Sequence, residues 1–236
     1  MYAKVMSSEA TDFVSKFLKF EAFLHTAVHL KKAVSLCQDL CETLTDLVAS
    51  EAVKTKDLLK CISILLFHID STNILANEIC APEEKLIRRL QTDLLAGMLS
   101  AFLLPVHSVK QGQALMDYFA LPLIKIILDW ILLNENIVTE AGFMTKQQIW
   151  SGLALLLNDI SANRNKTQKI KDETFPLPEE FDLQAFLPIV EKLKKFNFRQ
   201  VLKVFMLIFC CCLGSSINHV YKAGGRGDLP NFYFTK

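Results

Sequence analysis

Four residues of metal-ligating type, His25, His29, Cys37 and Cys41, stand at four- and eight-residue intervals. Pairs at i,i+4 share a face of a helix, and His and Cys are the ligand types of a zinc site. If they lie on one continuous helix, the rise of about 1.5 Å per residue puts the ends about 24 Å apart. The four then cannot share one tetrahedral ion, and they read as polar and small apolar residues of a helix surface. Cys210-Cys211-Cys212 is no better, because adjacent residues point in different directions, and a buried apolar run is the simpler reading. The acidic pairs Glu83-Glu84 and Glu179-Glu180 each follow a proline, the pattern of a helix start whose dipole and free N–H groups attract carboxylates. No Gly-rich phosphate loop, G-x-S-x-G or H-E-x-x-H run is present, and Arg226-Gly227-Asp228 has no secretory signal beside it. The residues therefore imply no catalytic centre, no cofactor and no metal.

One constellation could meet nucleic acid. Arg164, Lys166, Lys169 and Lys171 sit in a segment almost free of hydrophobic residues, and Lys192, Lys194, Lys195 and Arg199 follow with Phe196 and Phe198 between them. Cations interleaved with aromatic rings suit a single strand, contacting phosphates and stacking on bases. The plainer alternative is a solvated loop leading into a solvated helix face.

These residues need a scaffold, and its pattern is helical. Phe13, Phe17, Phe20, Leu24, Val28, Leu30, Val34 and Leu40 recur at helical spacings, which predicts one long amphipathic helix over about 12–48, capped by Ser7, Ser8 or Thr11. A second runs over about 54–75. A third opens at Pro82 and is ended by Pro105, and a fourth spans 113–133 with Pro122 bending it or marking its first turn. A fifth spans 145–160, with Thr145 as cap and Gln148 three residues on. Residues 161–174 read as an exposed linker. An extended strap follows, with Phe181, Leu183, Phe186, Leu187 and Ile189 as apolar anchors, then a last helix over 190–205 and an irregular end from Gly214. Asp129-Trp130 and Trp150 read as core anchors.

The expected fold is all-α: antiparallel helical hairpins stacked as a HEAT-like or irregular solenoid over residues 1–200, with a divergent, partly irregular tail over 201–236. The chain has 236 residues, 51% of them hydrophobic, enough for a substantial core. Its 26 basic and 25 acidic residues nearly cancel, so nucleic-acid or acidic-membrane binding would need a local patch. Seven cysteines, an odd number, without a signal peptide favour free thiols in a reducing compartment. No apolar run reaches the roughly 20 residues of a membrane span.

Several segments together resemble one family. Leu121-Pro122-Leu123-Ile124-Lys125 through Asp129-Trp130-Ile131 is similar to the LPAVKVxxDWL helix of the Est-type/SMG adaptors of nonsense-mediated mRNA decay. Gln148-Ile149-Trp150 through Asn158 resembles their xIWxxLxxLLN helix, and PLPEEFDLQAFLP (176–188) resembles their PLPEEFELQGFL strap. Phe196-Asn197-Phe198 stands where the family has LDF or FNF, and Phe13 to Phe20 resembles FVKAFIKFH. Order and spacing agree over roughly 11–199 and depart after Arg199. The likeness is nearest to the type without a PIN nuclease domain, the SMG-seven type.

The resemblance implies a non-catalytic, cytoplasmic scaffold that shuttles to the nucleus. Its implied partners are decay-factor proteins: another SMG adaptor, and a phosphorylated up-frameshift RNA helicase bound through an upstream domain. The region is also catalogued as an Est-type DNA/RNA-binding domain, which implies RNA or telomeric DNA as further partners.

Overall fold

The computed structural model describes residues 8–75, 81–108, 115, 117–164 and 176–194, leaving aside the side chains of 73–75, 107–108 and 162–164. Four long helices come first: α1 (Ser8–Thr26), α2 (Leu30–Ala49), α3 (Thr55–Leu75) and α4 (Pro82–Ser108). Then come α5 (Leu121–Leu133), a 3-10 turn (Glu135–Thr139), α6 (Ala141–Thr145) and α7 (Gln148–Arg164). The strap consists of α8 (Pro178–Asp182), a second 3-10 turn (Leu187–Ile189) and α9 (Val190–Leu193). The described residues contain no strand, and the all-α expectation holds.

Named contacts fix the topology. Lys16 of α1 meets Asp39 of α2 at 2.9 Å, positions equidistant from the break between the two helices, so they form an antiparallel hairpin. The Thr72 hydroxyl donates to Gln91 Oε1 at 3.4 Å and closes α3 and α4 into a second hairpin in the same way. Cys37 reaches Leu90, and Cys41 lies over Gly97, so α2 and α4 rise side by side in one direction. The result is a solenoid-like stack of two layers, α1–α3–α5 and α2–α4–α6/α7. Helix α4 is the common wall, and from Leu90 to Leu103 nearly every residue is buried. A helix packed on several sides loses its amphipathic stripe, which is why its pattern is diffuse.

The first long helix of the sequence reading is two. The chain breaks at 27–29, where Ala27 (φ 53°) and His29 (φ 58°) both take the left-handed conformation. The Ala27 N–H donates to Leu24 O at 3.2 Å and the Val28 N–H to Phe23 O at 3.2 Å, closing α1 with backbone bonds alone. No Gly or Pro marks the site, so local chemistry gives no signal of it. What holds the break is burial on both sides of the hairpin: Phe13, Phe17, Phe20 and Leu24 from α1 against Ala33, Cys37, Leu40, Leu44 and Leu47 from α2. Val28 and Val34, assigned to a single stripe by the periodicity, are exposed because the register restarts after the break. Ala27 is exposed and strained, so Ala27→Gly is expected to stabilise the fold by about 0.5–1 kcal/mol, read as a rise in thermal midpoint.

Three further boundaries differ from expectation. Pro105 lies inside α4, which continues to Ser108. Proline costs one ladder bond there, while Pro105 and Val106 are buried, so packing outweighs the local penalty. The fourth helix starts at Leu121, and Pro122 marks its first turn. Thr145 does not cap α7. It closes α6, and its hydroxyl donates back to Ala141 O at 2.8 Å. The expected helix over 190–205 is described only as Val190–Leu193. The expected linker over 161–174 starts later than read, because α7 continues through Arg164; the rest of the linker, 165–174, and the tail over 201–236 lie outside the described residues.

Candidate functional site

In α5, LPLIKIILDWILL, Lys125 and Asp129 are the charged residues, four apart and thus on one face. Both are buried, at 1% and 2% exposure, because α5 lies between α3, α4 and the strap. Lys125 Nζ donates to Asp129 Oδ2 at 2.5 Å and to Glu180 Oε1 of α8 at 2.5 Å. Glu180, 1% exposed, accepts the Leu177 N–H at 2.8 Å through its other oxygen. One carboxylate therefore caps the short helix α8 and also clamps the strap to α5. The next residue, Trp130, is fully buried, and its indole N–H donates to Asp70 Oδ1 of α3 at 2.9 Å. Burial holds the Asp70 carboxyl above its usual range, with the Trp130 bond opposing. Lys125, Asp129, Glu180 and Trp130 are buried and Asp70 is half-buried, so the clamp positions segments and is closed to a substrate.

The two acidic pairs do cap helices: Glu84 accepts from the Ala81 N–H at 3.0 Å, as Glu180 does from Leu177. The link from Glu180 to Lys125 is what the sequence reading missed. Nothing in the sequence signals it, since a lysine and an aspartate at i,i+4 can neutralise each other within one helix. Of the expected strap anchors, Leu183 and Ile189 are buried and Phe186 is half-buried. Phe181 and Leu187 instead are exposed, Leu187 at 72%, and the buried strap residues missed by the pattern include Leu177, Glu180, Pro188 and Leu193.

A second polar cluster joins α1 to α3. Glu21, 4% exposed, faces His68 Nδ1 at 2.5 Å, and Glu21 Oε1 is buried without a hydrogen-bond partner. The His25 ring stacks on His68 with centroids 5.9 Å apart. The hydrogen bond to Glu21 raises the His68 pKa above its usual 6.5, against the opposing effect of burial. A base raised in the folded state contributes stability that is fully present below 6.5 and is lost as pH climbs through the higher folded value. Urea midpoints are therefore expected to fall as pH rises above 6.5, and a His68→Gln variant is expected to lack that slope.

His25 lies on α1, His29 in the break itself, and Cys37 and Cys41 on α2, so the single-helix geometry does not apply to them. No group of three or more His, Cys, Asp or Glu able to hold a metal is found among the described residues. Of the basic residues singled out, Lys192 and Lys194 are described, on and just after α9 at the end of the strap. Lys192 is half-buried, and Lys194 is exposed and paired with Glu191 at 2.5 Å. The Arg164 side chain and Lys166, Lys169, Lys171 and Lys195 lie outside the described residues. No described helix is long and apolar enough to cross a membrane.

Comparison with known proteins places these features. The chain is 28% identical over 192 residues to the nonsense-mediated mRNA decay factor SMG7 of Danio rerio, an alignment covering 80% of this chain and 16% of that protein. The profile of the Est1 DNA/RNA binding domain matches residues 4–193, a span that takes in both helical layers, the buried Lys125–Asp129–Glu180 clamp and the strap. This chain belongs to the Est1 DNA/RNA binding domain family.

Proposed function

We propose that this chain is a non-catalytic scaffold segment of a nonsense-mediated mRNA decay adaptor, supporting recruitment of decay machinery to a phosphorylated RNA helicase. The observation that carries it is the similarity to SMG7 over 192 residues. The buried clamp supports it, because it locks the LPLIKIILDWI and PLPEEFDL segments into one rigid body, as a spacer between binding modules requires. The partners are decay-factor proteins, among them another SMG adaptor, with the helicase bound through a domain other than this one. The working body is residues 1–200, with 201–236 as an appended tail, and the site of action is cytoplasmic with passage through the nucleus. Tethering the full chain to a reporter mRNA tests this. A shortened half-life relative to the untethered reporter is expected, and an unchanged half-life would overturn the reading.

The family's own description favours a second reading, a nucleic-acid-binding module for single-stranded RNA or telomeric DNA. Its contacts are Arg164, Lys166, Lys169, Lys171, Lys192, Lys194 and Lys195. Fluorescence anisotropy across a salt series tests it. Each lysine lost among Lys192, Lys194 and Lys195 is expected to flatten the logarithmic salt slope by about 0.7–1. Binding that is undetectable at low salt, or indifferent to Lys→Glu changes, rejects it.

A further inference from the structure

The strap lies across α5 and α3, where Glu180 meets Lys125 and Asp182 meets Lys56. The adjoining furrow of the same layer runs between α3 and α1. Glu21 of α1 meets His68 of α3 at its floor. The His25, His68 and Phe67 rings follow one another across it, with centroids 5.9 and 6.3 Å apart. Leu18 stands three residues before Glu21, and Ile64 four before His68, so each lies on the face of its helix that borders this furrow. Leu18 is 52% exposed, Phe67 is 47% exposed and Ile64 is half-buried. His68 turns Nδ1 inward to the buried Glu21, so the charge of that pair sits beneath the furrow. Apolar side chains gathered along one furrow, unlike scattered ones, mark a surface made to be covered.

We propose that residues 204–213 of this same chain dock in the α1–α3 furrow, continuing the course of the strap. The run is VFMLIFCCCL, ten apolar residues between Lys203 and Gly214. Water disfavours such a run, and burial against Leu18, Ile64 and Phe67 relieves both surfaces at once. The strap is described to Lys194, and nine residues, 195–203, separate it from the run. At up to about 3.3–3.6 Å per residue they reach about 30 Å. Axes of packed helices lie about 8–10 Å apart, so this spacer crosses α3 with length to spare. The exposed Leu104, Met144 and Leu155 belong to α4, α6 and α7 of the other layer, whereas the strap already lies on the layer that holds the furrow. A docked run removes the furrow from the surfaces open to a partner.

Cys210, Cys211 and Cys212 are native probes of the run. The full chain carrying Leu18→Cys or Phe67→Cys is treated with a short bismaleimide at high dilution, and linked peptides are identified by mass spectrometry. Links within one chain from positions 18 and 67 to 210–212 are expected, and none from Leu155→Cys in the other layer. As a second measurement, Phe67→Glu, at an exposed position, is expected to speed tryptic cleavage after Lys203 by at least about fivefold, with circular dichroism showing the helices intact. Links joining two chains would assign the furrow to a second copy, and equal linking from Leu155→Cys would show an undirected tail. A chain that leaves the furrow unlinked and sediments with phosphatidylcholine vesicles would assign the run to a lipid surface. Each of these results, or an unchanged cleavage rate in Phe67→Glu, overturns the proposal.

Discussion

Replacing Lys125 with methionine is expected to destabilise the fold by about 3–5 kcal/mol, among the larger effects available to a single substitution. The side chain removed is a cation held at 2.5 Å from both Asp129 and Glu180 in a site closed to water. Its loss leaves two buried carboxylates without that countercharge, and desolvation penalises each of them. The measurement is the urea midpoint at neutral pH, at unchanged slope. Replacing Lys125, Asp129 and Glu180 together by Met, Leu and Leu is expected to recover most of the loss, since an apolar core avoids the desolvation of all three charges. The residual cost is about 1 kcal/mol, from the cap that Glu180 gives to Leu177. A triple variant no more stable than Lys125→Met would mean that shape, and not charge, governs the site.

Trp130→Ala is expected to cost about 3–5 kcal/mol. Trp130 is the largest fully buried side chain, and its removal opens a cavity between α5 and α3. It also takes the indole donor from Asp70, whose carboxyl burial already holds above its usual range. Asp70→Asn in the Trp130→Ala background separates the two contributions. If the cavity dominates, the asparagine returns little. If the lost donor dominates, it returns a substantial part of the stability, because a neutral amide is cheaper to bury than a carboxylate.

The two substitutions probe neighbouring residues of α5 with different partners. Lys125 and Asp129 face the strap, and Trp130 faces α3. The clamp on the strap and the packing between hairpins are therefore separable, and the strap places Lys192 and Lys194 at its end.

Much of this architecture was legible in the sequence. The Phe13, Phe17, Phe20 and Leu24 stripe, the Pro82 start, the glutamate caps and the order of the family-like segments follow from local rules: side-chain period, dipole and free N–H groups. The break at 27–29 was not legible, because neither Ala27 nor His29 is a glycine that would mark a left-handed position, and burial on both sides of the hairpin stabilises that geometry. The passage of α4 through Pro105 was hidden for the same reason, with packing of Pro105 and Val106 outweighing a local rule.

At the candidate site the division is sharper. The sequence by itself determined that Lys125 and Asp129 share a helix face, that Glu180 starts a helix, and that Cys37 and Cys41 lie one turn apart. Only the tertiary structure decided that Glu180 reaches across to Lys125, that Glu21 meets His68, and that Cys41 rests on Gly97 beside Lys146. Helical periodicity fixes neighbours within about a turn of the chain. Partners tens of residues away are chosen by which apolar faces bury one another, a property of the whole stack that no single segment carries.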